Sequence, residues 1–179
     1  MQVIRLLFIS SPQILKMMLY GHYLDIITQI EHDPDCIVSR LQQPVKLDFP
    51  LPADLKYYLE HYSAIRFFPG TDYSIRIVGL PGFQRANPVI VGEEAPDDVS
   101  HYWYIIAEDG NTQYITIDIG AERQGRCYDS FWDRHGLPGE QVVVAKSFTE
   151  LLERLYAARG GRWFWLEDSF ENYGDAYDQ

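Results

Sequence analysis

Residues 102–119 constrain the fold more than any other stretch of the chain. Tyr102–Ala107 is a run rich in aromatic and β-branched residues. Asp109-Gly110-Asn111 follows, with residue types that tolerate positive φ and close tight turns. Gln113–Ile119 then alternates, with Ile115, Ile117 and Ile119 on one side and Tyr114, Thr116 and Asp118 on the other. Two such runs about such a turn predict an antiparallel hairpin. A hairpin with one apolar face must bury that face against another layer.

The flanking pattern supplies both strands and helices. Ser11-Pro12 reads as a helix start, and Leu19, Tyr23, Ile26 and Ile30 recur at helical spacing, predicting a helix over about 12–31 that Asp33-Pro34 ends. Residues 35–43 are short enough for either a helix or a strand, with Pro44 as the stop. Leu55, Tyr58, Leu59 and Tyr62 mark a second helix that starts near Pro52. Ile65–Phe68, Tyr73–Val78, Arg126–Asp129 and Gln141–Ala145 read as further strands, and Val89–Val91 as a short one inside a loop over 80–100. Ser147-x-x-Glu150 is a capping box opening a third long helix, whose stripe is Phe148, Leu151, Leu152, Leu155 and Tyr156 and whose stop is Gly160-Gly161. Arg162–Trp165 reads as a last strand or an aromatic clip. The order predicts an α+β fold: a twisted, mostly antiparallel sheet with helices packed on one face. We expect a single domain over 1–166, with a helical N-terminal extension over 1–45 and an acidic, solvated tail over 167–179.

Charge narrows the partners. Asp plus Glu number 26 against 15 Lys plus Arg, a net charge of −11. Such a chain is poorly suited to nucleic acid or an anionic membrane and well suited to a basic protein. The apolar run Leu6–Ile9 is too short for a signal core or a membrane span, and Met17 or Met18 offers an alternative translation start. Cys36 and Cys127 are distant in sequence and belong to no CxxC or Cys/His cluster. That predicts reduced thiols and a cytoplasmic location rather than a disulfide or zinc framework.

Several pieces, in order, carry a family resemblance: Leu51-Pro52-x-x-Leu55-x-x-Tyr58-Leu59, Trp103–Ala107, Asp109-Gly110, Tyr114–Asp118, Gly125–Tyr128, and Val144–Leu152. Together, over about residues 50–156, the chain resembles the SUKH superfamily, which includes the yeast cell-wall-synthesis regulator family and many bacterial immunity proteins. The family's usual Asn-Gly turn after this helix is replaced by Ser63-Ala64. The resemblance implies a six-stranded twisted sheet flanked by helices, usually without catalysis. It implies binding to a toxin delivered between competing cells, commonly a nuclease or deaminase, or service as an interaction scaffold.

Catalytic and metal chemistry finds little support in the spacing. His32, Asp33, Asp35 and Cys36 are ligand types side by side, but a turn alone rarely converges them on one ion. Cys127 sits in a strand with no helix N-terminus to lower its pKa. Gly79-Leu-Pro-Gly82 lacks phosphate-loop spacing. We therefore expect no cofactor, no metal and no catalytic residue. A hydrolase built from Asp118, Asp129 and His135 is the enzymatic alternative, and a cytoplasmic scaffold or regulatory protein the other.

The leading reading is a non-enzymatic binding module, an immunity protein that neutralises a basic, secreted toxin domain. Its expected contact residues are Glu93, Glu94, Asp97 and Asp98, whose carboxylates can take the place of phosphates in a nuclease groove, with Tyr102, Tyr104 and Trp132 as aromatic anchors. A period-two strand cannot bury Trp103 together with Tyr102 and Tyr104 on one face. The aromatic run therefore either leaves an exposed patch or lies under the N-terminal helix.

Overall fold

The computed structural model describes residues 11–178. The Leu6–Ile9 run, and with it most of the possible upstream extension, lies outside them. The elements in chain order are α1 (Ser11–His32), β1 (Cys36–Arg40), α2 (Ala53–His61), β2 (Tyr62–Phe67), β3 (Ile75–Val78), α3 (Ala86–Ile90), β4 (Trp103–Glu108), β5 (Tyr114–Asp118), β6 (Cys127–Asp129), β7 (Val143–Ala145) and α4 (Phe148–Ala157).

All seven strands form one sheet in the order of the chain, and each neighbouring pair is antiparallel. The expected α+β architecture is the one observed. The seventh strand, beyond the six implied by the resemblance, is β1, which precedes the resembling region.

Register assigns each side chain to a face. Val38, Ile65, Ile77 and Ala107 lie opposite one another across β1–β4 and point inward. The next row, Ile37, Arg66, Arg76 and Glu108, points outward, where Arg76 pairs with Glu108 at 3.2 Å. On the inner face α1, α2 and α4 close over a large core that includes Tyr23, Ile27, Ile30, Leu55, Tyr58, Leu59, Ile115, Ile117, Phe148 and Leu152. Asp54 joins two of these helices: its Oδ2 accepts from the Thr149 backbone N at 2.9 Å and the Thr149 hydroxyl at 2.8 Å, in the first turn of α4. The capping box is half as expected. Ser147 Oγ accepts from the Glu150 N at 3.1 Å, but the Glu150 carboxylate accepts from the Lys146 N rather than from Ser147.

The hairpin of β4 and β5 turns at Gly110, whose φ is +89°, a conformation only glycine adopts without strain. Asp109 Oδ1 accepts from the Asn111 and Gln113 backbone N–H groups and fastens the turn. Ile115 and Ile117 enter the main core while Thr116 and Asp118 face the opposite side, as the alternation predicts. Pairing shifts register between Ile105 and Ala107, which lets Ile106 and Ala107 both join the main core. At the end of β3, Gly79 lies so close to the Ser63 carbonyl that no side chain would fit.

Three local expectations are corrected. Val89 and Ile90 end the short helix α3 rather than starting a strand, because the 86–91 segment satisfies its own backbone, with Val91 N donating to Asn87 O. Tyr102 closes a 3-10 turn, and β4 begins at Trp103. The acidic ending is not a frayed end over residues 173–177. Tyr173 N donates to Val143 O, Val143 N to Gly174 O, and Ala176 N to Gln141 O, so this segment runs along the free edge of β7. The Trp163–Trp165 stretch is the aromatic clip: it ends in a 3-10 turn, and Trp163 Nε1 donates to the Tyr73 carbonyl.

Candidate functional site

The outer face of β4–β7 carries a second, smaller core. Trp103, Ile105, Tyr128 and Val143 rise from the strands, and Ala86 and Ala176 meet them from α3 and the C-terminal segment. Trp103 is therefore buried on the side away from α1, so the aromatic run is divided: Tyr104 packs on the main core, Tyr102 is exposed, and Trp103 follows neither of the expected alternatives. Tryptophan and tyrosine buried in a core commonly place their polar ends against hydrogen-bond partners. Asp118 provides them. Its Oδ2 accepts from Trp103 Nε1 and from the Tyr128 hydroxyl, each at 3.1 Å, and its Oδ1 accepts from Gly120 N at 2.7 Å. Burial pushes the Asp118 carboxyl above its ordinary range, against the pull of these bonds.

Around this layer lies a buried polar network. His135 bonds through Nε2 to Asn87 Oδ1 at 2.7 Å, and Asn87 Nδ2 donates to Ser100 Oγ at 3.0 Å. His135 Nδ1 is buried without a partner, and burial lowers the imidazole pKa to about 4, so the ring is neutral. Asp98 Oδ1 accepts from Ser100 N at 2.8 Å and from the Tyr177 hydroxyl at 2.9 Å. Burial raises the Asp98 pKa, but the hydrogen bonds from Ser100 and Tyr177 outweigh it and leave the carboxyl below its ordinary range.

Beside this network opens a groove of about 1010 Å³. Phe49, Leu80, Phe83, Asp97, Asp98, Tyr102, Tyr104, Asp118 and residues 119–124 are among its lining. Four of the seven expected contact residues, Asp97, Asp98, Tyr102 and Tyr104, converge on it. The other three stand apart. Glu94 pairs with Arg85 at 3.3 Å, Glu93 is exposed on the same loop, and Trp132 projects from the turn after β6 with 56% of its surface exposed. Phe49, Phe83 and Glu122 were not anticipated. They come from three separate loops, and no local pattern signals that these loops meet.

The residues of the hydrolase alternative are engaged separately. Asp118 holds Trp103 and Tyr128. Asp129 accepts from Gln113 Nε2 at 2.5 Å and pairs with Arg134 at 3.4 Å. His135 bonds to Asn87. None of the three bonds to another, and the Trp103 ring lies tilted against Tyr128 at 4.5 Å and edge-on to His135 at 5.6 Å between centroids. Cys127 is fully buried, and burial raises its thiol pKa well above the ordinary value. Among the described residues, no cluster of three or more His, Cys, Asp or Glu is placed to hold a metal ion, and no helix is long and apolar enough to cross a membrane.

A sequential antiparallel sheet with three helices on one face, a second small core on the other and a groove at the strand ends between the two is an α+β architecture. Residues 45–154 match the SMI1 / KNR4 family (SUKH-1), and the chain belongs to that family. It is also similar to the immunity protein YokJ of Bacillus subtilis (strain 168), at 46% identity over 155 residues that span 86% of this chain and 94% of the relative.

Proposed function

We propose that this chain is an immunity protein that binds a toxin domain in the cytoplasm and blocks it by occupying its surface, with no chemistry of its own. The observation that carries the reading is the 46% identity to an immunity protein over nearly that protein's whole length. The toxin is basic and of nuclease or deaminase type. A net charge of −11 steers such a partner inward, and carboxylates on the groove and its flanks substitute for the phosphates its cleft is built to hold. Glu93, Glu94, Asp97, Asp98, Tyr102, Tyr104 and Trp132 are the contact residues.

The test is a mixed-culture competition in the native host. A strain lacking this gene should be killed or outgrown by its parent, and a plasmid copy should restore its growth. Equal growth of the deletion strain beside a toxin-producing parent would overturn the proposal.

A further inference from the structure

The groove has two kinds of wall. One is aromatic and apolar: the Phe83 and Tyr104 rings stack with centroids 4.8 Å apart, Leu80 and Phe49 extend the surface, and Tyr102 stands 53% exposed at the mouth. The other is acidic. Asp97 and Glu122 are exposed on the rim, Asp98 is partly buried beside them, and Asp118 lies at the base. Arg123 is the only cationic residue among those lining the groove, and it pairs with Glu122 at 3.6 Å. At about 1010 Å³ the open groove has room for a long side chain and the backbone that carries it.

We propose that the groove takes an arginine-bearing segment of the partner, an inference that rests on the reading of the chain as a binder of a basic protein. The occupant needs an apolar stem for the Phe83–Tyr104 wall and a cationic head for the acidic rim. Both arginine and lysine have these. Arginine fits better because its planar guanidinium stacks on an aromatic face such as Tyr102 and forks onto carboxylates, whereas an ammonium is a compact, strongly hydrated point charge. Asp98 is ready to receive it. With Oδ1 already held by Ser100 and Tyr177, the carboxylate is fixed before binding and little side-chain entropy is lost. Phe49, Phe83 and Glu122 thereby join Asp97, Asp98, Tyr102 and Tyr104 as determinants of which partner is accepted.

The probe is a set of blocked tripeptides, Gly-Arg-Gly, Gly-Lys-Gly and Gly-Glu-Gly, titrated into isotope-labelled full-length protein and followed by NMR. The arginine peptide should shift amides in 97–104 and 119–124, the lysine peptide should do so more weakly, and the glutamate peptide not at all. The double variant Asp97→Asn with Tyr102→Ala, at two exposed positions, should keep its spectrum elsewhere and weaken the arginine response at least fivefold. Shifts centred elsewhere, equal response to all three peptides, or an undiminished response in the variant would overturn the proposal. The same variant in the competition assay separates the two readings. Lost protection supports the groove as the seat of immunity. Retained protection with lost peptide binding overturns that role and leaves immunity standing. If the wild-type gene gives no protection, the immunity reading fails while the titration still reports on the groove.

Discussion

The two halves of the sheet share an inner core but differ on their outer faces. Over β1–β3 the outer row, which includes Ile37, Arg66 and Arg76, meets solvent. Over β4–β7 the same face is roofed by α3, the 131–142 loop and the 173–177 segment, with Trp103 and Tyr128 beneath. The difference teaches how one sheet face can stay open while its continuation becomes part of the interior. A bare sheet face offers a flat, charged row. A roofed one holds a second core, and the groove opens beside it at the strand ends, with Phe83, Leu80, Tyr104 and Ile119 from the main core on one side and Val99 from the second core on the other.

Replacements under the roof should cost far more than replacements in the open row. Trp103→Ala should produce the largest effect, a loss of about 3–5 kcal/mol in chemical denaturation, since it opens a cavity and leaves Asp118 short of a donor. A stability near wild type would mean that the second core is not a cooperative part of the fold.

Acid should act next, through His135. Its folded pKa of about 4 lies below the unfolded value of about 6.5, so the unfolded chain takes up the proton first on acidification. The stability contributed by the neutral ring is complete above about pH 6.5 and is lost as pH falls toward 4, by roughly 3 kcal/mol. Denaturation curves of His135→Gln should be flatter than wild type across that window. Parallel curves would rule out His135 as the source.

Tyr177→Phe should cost about 1–2 kcal/mol, because its hydroxyl donates to Asp98 and lies 2.9 Å from the Gly136 carbonyl. The Asp98 carboxyl should also titrate at higher pH in this variant, which NMR can follow directly. An unmoved Asp98 would show that Ser100 alone holds it. Arg66→Ala, in the open row, should change stability by less than about 0.5 kcal/mol. A larger loss there would erase the contrast between the halves.

The inner core was readable because its signals are local. The hairpin announces itself by alternation around Asp109-Gly110-Asn111, and α4 by its stripe and cap. The roof was not readable for the opposite reason. Val89-Ile90 has β-branched residues that suggest a strand, yet five residues closed by their own hydrogen bonds form α3. The 167–179 tail reads as solvated acid, and nothing local says that Ala176 is buried or that Tyr177 reaches Asp98 across 79 positions of chain. The groove was legible in part. Asp97, Asp98, Tyr102 and Tyr104 are close in sequence and stand out together, whereas Phe49 and Phe83 reach it only through tertiary folding. Glu94, equally acidic in the sequence, is tied to Arg85.

The sequential order of the strands also bears on how quickly the chain can find its structure. Each interior strand pairs with the one made just before it and the one made just after, and the edge strands β1 and β7 with their single neighbour in sequence. Ladder formation therefore closes only the loop between consecutive elements, the cheapest kind of closure, and a partly zipped sheet never has to wait for a distant partner to complete an interior strand. For a protein whose proposed task is to meet an incoming toxin, a topology of this kind favours early arrival at the paired sheet after synthesis.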